Sequence, residues 1–343
     1  MKLELKNGTS HILITKIENI RYLTNFTGED GFLLISNDRK ILLVDSRFTT
    51  QAKEEVNSYV EVVEYKPPIE SFIFDNYKID KLGLEESIKY SFYNLFSQKF
   101  GPNKITIIKN FVENLRTIKN EKEIQYISKA EEIAEKSFLK TLELIKEGIT
   151  EKDISLELEY QMKKNGGEKN GFDTIVLFGE RGALPHGKPS DRKLKNRESI
   201  IIDFGTIFNG YHSDCTRTVF FGNLDSEFIN IFNIVKDAQE KGLDYIKENL
   251  KGKEIDKVSR DHIKEKVYGD YFGHGLGHGV GLEIHERPTL SPLGEEELKE
   301  NMVVTIEPGI YIPNKIGIRI EDLVIVKKEG HINLTKLEKL IKI

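Results

Sequence analysis

Short apolar runs broken by polar turns mark out the first third of the chain. GFLLIS and KILLVD flank Asn37-Asp38-Arg39, which predicts a β-hairpin. Residues 46–56 read as a helix and 60–65 as a strand, and 87–100 form an amphipathic helical pattern closed by Gly101-Pro102. Residues 105–108 read as a further short strand. Strands and helices alternating in this way predict an α/β layer of roughly 115 residues. Beyond it the period changes. Asn120 followed by Glu123 has the form of a capping box. Ile124, Ile127, Ala130, Ile133, Ala134, Phe138, Leu142 and Ile145 then recur at steps of three and four, the stripe of one long helix. A second helix follows Thr150 and stops at Gly166-Gly167, and two more are expected at about 225–249 and 254–268. The change of texture places a boundary near 115–120, dividing the chain into domains 1–117 and 118–343.

The apolar strands of the second domain hold its unusual chemistry. SIIIDFGTIFNGYHSDCTRTVFF and MVVTIEPGIYIPNKIGIRIEDLVIV share a grammar: an apolar run ends in an acid, a Gly follows two residues on, and a second acid opens the return strand. The acids are Asp203 and Asp214 in the first segment and Glu307 and Glu321 in the second. Two related halves, each a hairpin with helices, predict a pseudo-symmetric α+β domain. If Asn209-Gly210 is a two-residue turn, Asp203 faces Thr216 and shares a sheet face with Asp214. In the second segment a three-residue loop at Pro313-Asn314-Lys315 sets Glu307 opposite Glu321, whereas a two-residue loop separates them onto opposite faces.

Acids at the ends of apolar runs are part-buried, and buried carboxylates are unfavourable unless cations or donors compensate them. Two divalent ions neutralise four carboxylates on formal charge, and paired ions are a recurrent hydrolytic device. An imidazole is available in GHGLGHGVGLEIHE, where alternating glycines argue against helix. In an extended strand His274 and His278 share a face but stand about 13 Å apart, so one of them joins the acids. The bare glycine face admits close approach of a substrate or another backbone. A donor set rich in oxygen with one imidazole favours Mn²⁺, with Co²⁺ or Zn²⁺ as alternatives.

Composition narrows the partners. The 343 residues include 51 Lys+Arg and 56 Asp+Glu, a formal net charge of -5 with both signs interspersed. That balance provides no basic field for nucleic acid or an anionic membrane surface. Cys215 is the single cysteine, which excludes intrachain disulfides and Cys-rich zinc motifs. The first residues lack the apolar core of a signal peptide, and no run approaches the length of a membrane span, so a cytoplasmic protein is expected.

These motifs resemble the pita-bread metallopeptidases, and more narrowly the Xaa-Pro dipeptidase (prolidase) and aminopeptidase P branch. Residues 20–52 are similar to the creatinase-type N-terminal domain, and LRTIKNEKEIQYISKA to the segment that opens the pita-bread domain. The resemblance implies a dinuclear site with Asp203, Asp214, His278, Glu307 and Glu321 as metal ligands. It implies that His186, His274 and His285 surround the substrate, with His186 and His285 stabilising charge and Glu307 moving the proton. Arg319 and Tyr311 match positions near the substrate, and Thr216 a supporting one. Arg319 and Arg287 are the candidates to hold a dipeptide's carboxylate. His212 matches a variable position and receives no role. The substrates implied are short proline-containing peptides, and the assembly a homodimer built by the N-terminal domain. Methionine aminopeptidases share the five ligands but usually lack such an N-terminal domain. Creatinase-like members share the layout but lack the ligands. A non-catalytic binding module is expected to show eroded ligands, and none is eroded here.

Overall fold

The runs FLLI and KILLV become the antiparallel strands Phe32–Ile35 and Lys40–Val44, joined through the turn at 36–39. In the computed structural model, which describes residues 5, 7–223 and 225–343, the chain divides into two compact units, 1–116 and 117–343. Strands of the first unit lie in the order Val60–Glu64, Lys40–Val44, Phe32–Ile35, His11–Ile14, Leu82–Glu85 and Ile105–Ile108. The inner hairpin pairings are antiparallel and the outer pairings parallel. The runs of Phe32–Ile35, Lys40–Val44 and His11–Ile14 are apolar without alternation because both sheet faces are covered there. Ile12, Ile14, Leu33, Leu42 and Val44 enter one core, and Leu13, Phe32, Leu34, Ile41 and Leu43 the other.

Two helices here are shorter than their sequence patterns. The one expected from 46 occupies Thr49–Glu55, because Asp45 turns the chain first, accepting from the Arg47 amide through its side chain and from the Phe48 amide through its carbonyl. The one expected from 87 occupies Tyr90–Phe100, after a turn in which the Ile88 amide donates to the Glu85 carbonyl.

In the second unit the Asn120 side chain caps Glu121–Leu142 by accepting from the amides of Lys122 and Glu123, while the Glu123 carboxylate accepts from the Asn120 amide. Thr150 and Asp153 repeat the device for Glu151–Lys164. These helices cover the strands Ile175–Phe178, Glu198–Phe204 and Cys215–Phe221, with the Phe138 and Phe204 rings stacked at 4.9 Å. Helices Ser226–Tyr245 and Gly252–Glu265 cover a second sheet that includes Gly277–Gly279, Val303–Ile306 and Asp322–Val326. The latter helix stops short of the expected 268, where Val267 adopts a left-handed backbone (φ 65°). Each half is thus an acid-bearing antiparallel hairpin backed by two helices. Among the described residues no helix is long and apolar enough to cross a membrane.

Candidate metal centre

Register brings the four acids together. In the first hairpin Phe208 pairs with Tyr211 and Asp203 with Thr216, as a two-residue Asn209-Gly210 turn requires. Both turn residues have positive φ (47° and 79°), which Asn and Gly tolerate and which matches the strand twist. In the second hairpin Ile306 pairs with Asp322, Gly309 with Arg319 and Ile312 with Ile316. The loop is therefore the three residues 313–315, and the same register sets Glu307 across from Glu321.

The two hairpins are stitched to each other. The Glu321 amide donates to the Thr216 carbonyl at 3.1 Å, the Thr216 hydroxyl donates to Glu321 Oε2 at 2.7 Å, and the Arg319 amide donates to Thr218 Oγ1 at 3.1 Å. Buried Arg217 donates to the Glu321 carbonyl at 2.6 Å and forms an ion pair with Asp322 at 2.7 Å.

Asp203, Asp214, Glu307 and Glu321 all line one cavity of about 560 Å³, together with His186, His274, His278, His285 and Arg319. Asp214, His278 and Glu321 each offer a ligand atom, and these atoms lie within 4.8 Å of one another. His278 Nε2 stands 3.5 Å from Asp214 Oδ2 and 3.3 Å from Glu307 Oε1. Asp203 turns Oδ2 to Arg319 Nη2 at 2.6 Å, while its Oδ1 is buried without a hydrogen-bond partner.

Electrostatics match a site that wants cations. Burial raises the Asp214 and Glu321 carboxyls well above the usual range, and repulsion adds to it, from Glu321, Asp203 and Glu307 on the one and from Glu307 and Asp203 on the other. Burial also raises Asp203, against the pull of Arg319. For Glu307 burial is outweighed by the hydrogen bond and charge of His278, which hold it down at about 2. Burial opposes charge on His278, but Glu307 wins and raises it. Two buried acids, two part-buried ones, one imidazole and an orphaned carboxylate oxygen form a donor set with more negative charge than its own protons and Arg319 neutralise comfortably. That fits divalent metal ions.

The surrounding residues separate by role. His278 meets the acids and His274 does not: His274 Nε2 bonds Tyr311 Oη at 2.9 Å, and Arg260 grips the His274 carbonyl at 2.6 Å. Only 277–279 of the glycine-rich stretch is strand. A Cβ at Gly277 or Gly279 would collide with the carbonyls of Thr305 and Arg287 respectively, so this glycine face admits neighbouring backbone. Burial lowers the pKa of His274 and of His285, which favours neutral rings. The sequence reading puts Tyr311 and Arg319 against the substrate. Arg319 lines the cavity and Tyr311 does not; Arg319 Nη1 donates to Tyr311 Oη at 2.8 Å, Nε to Thr216 Oγ1 at 3.0 Å and Nη2 to Asp203. Burial pushes the Tyr311 phenol up to about 12, and only 7% of the residue is exposed. Its hydroxyl meets His274 and Arg319. Arg287 pairs with Glu296 at 3.1 Å and is absent from the cavity lining. His212 is buried, and its amide and ring Nδ1 both meet the Gly281 carbonyl.

Two contributors escape the sequence reading. The Thr305 hydroxyl accepts from the His278 amide at 3.1 Å and donates to Glu307 Oε1 at 3.2 Å; its place two residues before Glu307 on a strand was the available signal. Lys119, fully buried, forms an ion pair with Glu286 at 3.0 Å, beside His285, and carries no local signal at all.

Comparison with known proteins agrees with this geometry. Residues 125–328 match metallopeptidase family M24, and 5–118 match the creatinase/prolidase N-terminal domain. The Xaa-Pro dipeptidase of Pyrococcus furiosus is 41% identical over 97% of this chain and 95% of its own. A solved Xaa-Pro dipeptidase from Bacillus anthracis superposes with a TM-score of 0.95 at 40% identity, covering 98% of this chain and 96% of that one. An X-Pro aminopeptidase structure from Thermotoga maritima reaches 0.89 at 41% identity, with 98% of both chains covered. This chain belongs to metallopeptidase family M24, its pita-bread unit preceded by a creatinase/prolidase N-terminal domain.

Proposed function

We propose that the protein is an exopeptidase that hydrolyses the Xaa-Pro bond at the N-terminus of dipeptides or short peptides. The observation that carries this reading is the convergence of four buried or part-buried carboxylates and one imidazole on a single cavity. Asp203, Asp214, His278, Glu307 and Glu321 would hold two divalent ions, with manganese suited to so oxygen-rich a donor set. Bound there, the ions supply an acidified water and polarise the scissile carbonyl.

The chain's own residues do the rest. Thr305 and His278 fix the Glu307 carboxylate, which accepts the proton lost by the attacking water. Glu307 returns that proton to the prolyl nitrogen as the carbon–nitrogen bond breaks. His186 and His285 line the same cavity and donate N–H groups toward the oxygen on which charge develops. Arg319 and Tyr311 hold Asp203 and His274 in place. A bond to proline suits this site because the tertiary amide has no N–H to satisfy. We assign the role of dimer formation to the N-terminal domain, with a boundary at 117/118.

Purified protein should contain divalent metal and, with added Mn²⁺, cleave Xaa-Pro dipeptides and Xaa-Pro-Yaa tripeptides. Loaded protein that turns over neither class refutes the reading.

A further inference from the structure

The segment 272–276 brings His274 to the cavity wall, and it is neither helix nor strand. Its backbone groups have no ladder to join and need partners elsewhere. A Cβ at Gly273 would meet nothing within 4 Å, so packing does not hold the chain there. What holds it is one ion pair on the helix Gly252–Glu265. Ile255 and Ile263 bury that helix in the core, and the Ser259 hydroxyl ties it to the Ala238 carbonyl at 2.7 Å. On the neighbouring stripe Asp256 and Arg260, one turn apart, pair through two bonds of 2.7 Å.

The pair then reaches the segment. Arg260 Nη1 donates to the Phe272 carbonyl at 2.9 Å and Nη2 to the His274 carbonyl at 2.6 Å, while Asp256 Oδ1 accepts from the Leu276 amide at 3.0 Å. The guanidinium also lies over the Phe272 ring at 4.2 Å, and that ring meets the His274 imidazole edge-on at 5.1 Å. Alternate residues 272, 274 and 276 are thus fixed from a single helical turn. The His274 ring in turn meets the Gly275 carbonyl at 2.8 Å and the Tyr311 hydroxyl at 2.9 Å, contacts that depend on where the backbone sets it. Asp256 is buried, and neither member of the pair lines the cavity. A buried ion pair is by itself weak evidence for a stabilising role. The distinctive feature of this one is that its remaining bonds all go to the backbone around a cavity-lining histidine.

We propose that Asp256 and Arg260 are positioning residues for His274, setting its imidazole at the cavity wall where it orients the bound peptide. That last step rests on the Xaa-Pro peptidase reading. The Leu276 carbonyl also accepts from the Glu307 amide at 2.8 Å, so a loss of activity alone does not single out His274.

Two readouts separate the possibilities. In the full chain loaded with diamagnetic Zn²⁺ and labelled with ¹⁵N-histidine, the His274 ring resonances are identified by their loss in His274→Ala. They should move or broaden in Arg260→Met, while those of His331, outside the cavity lining, stay in place. With Mn²⁺ and Ala-Pro or Ala-Pro-Gly, Arg260→Met should lose about 10- to 100-fold in kcat/KM, the effect of a misplacement near 1 Å, at unchanged metal stoichiometry. Arg260→Lys keeps a cation against Asp256 and should lose less. The double variant Arg260→Met/His274→Ala should fall within about threefold of His274→Ala alone, because the two losses act through one group. Val267→Asn, exposed in the same connection and suited to its left-handed backbone, should keep wild-type kcat/KM. The proposal is refuted if the losses of Arg260→Met and His274→Ala multiply, if Arg260→Met sheds metal, or if the His274 resonances stay fixed. If Arg260→Met does not fold, the same cycle and spectrum on Arg260→Lys decide. Should the unsubstituted protein cleave no peptide, the peptidase reading falls, and the resonances alone decide whether the pair positions His274.

Discussion

Glu131 provides a test of the core beneath the metal centre that is independent of turnover. It lies on the helix Glu121–Leu142, 1% exposed, and accepts one hydrogen bond, from the Thr335 hydroxyl at 2.6 Å. Its other carboxyl oxygen is buried without a partner. Burial pushes the acid up to about 8, the Thr335 hydrogen bond opposing it and Glu135 adding to it. The sign follows from linkage. The folded state holds a proton that the unfolded chain, titrating near 4.3, has released. Wild-type stability is therefore free of this cost below pH ~4, loses ground as pH rises through the interval, and bears the full cost above about 8. At 1.36 kcal/mol per unit the ceiling is about 5 kcal/mol, and structural relaxation brings the expected value to ~2–3 kcal/mol. Glu131→Gln removes the titration while keeping an oxygen for Thr335. The variant should thus gain on wild type from pH 5 up to about pH 8 and then level off, in denaturant midpoints measured at fixed Mn²⁺, and should be the more stable of the two at pH 9. A difference between the two proteins that stays flat across that range would show that Glu131 is ionised and otherwise compensated, and would defeat the argument.

Three further outcomes are expected. Asp214→Asn removes charge and a donor oxygen from the centre of the cluster, so the protein should bind at least one metal ion fewer by elemental analysis; full stoichiometry with full turnover contradicts the ligand assignment. His186→Ala should retain its metal and lose ~10²-fold or more in kcat/KM on Xaa-Pro peptides, whereas a wild-type value removes His186 from the chemistry. Lys119→Met removes one charged partner of the Glu286 carboxylate, which keeps the Glu283 amide, and should cost about 1–3 kcal/mol in chemical denaturation, with the Lys119→Met/Glu286→Leu pair recovering part of it.

What the sequence made legible was local. Hairpin register follows from turn length and the two-residue period, so the positions of Asp203 and Asp214 could be worked out residue by residue, whereas those of Glu307 and Glu321 hung on a loop length that the structure fixes at three residues. The capping box at Asn120 rests on side chains three residues apart, as does the one the structure adds at Thr150. Helix ends were less legible, because Asp45 and Glu85 spend the preceding residues on turns. The strand Leu82–Glu85 escaped notice: it is four residues long, and Gly83 interrupts its pattern where Ile108 and Ile12 crowd in. The supporting ion pairs were out of reach for a different reason. Arg217 and Asp322 are separated by 105 residues, and Lys119 and Glu286 by 167. No periodicity connects such partners; only the completed fold does.

That dependence on distant partners explains why the centre needs two hairpins rather than one. Within a single hairpin, strand register puts Asp203 and Asp214 on one face and Glu307 opposite Glu321, and register itself does nothing to offset their repulsion. Thr216 supplies the missing link by facing both ways: its hydroxyl donates to Glu321 and accepts from Arg319, while Arg319 neutralises Asp203. Each hairpin thus provides the group that restrains an acid of the other. Because these restraints are backbone-anchored and buried, the acids are held in place by the fold itself and need not wait for cations to gather them, which lowers the ordering cost of binding. Arg217 extends the same logic one layer deeper, gripping the Glu321 carbonyl with one nitrogen and the carbonyls of Leu337 and Glu338 with others. The C-terminal segment is in this way tied to the position of a cavity-lining glutamate more than fifteen residues before it.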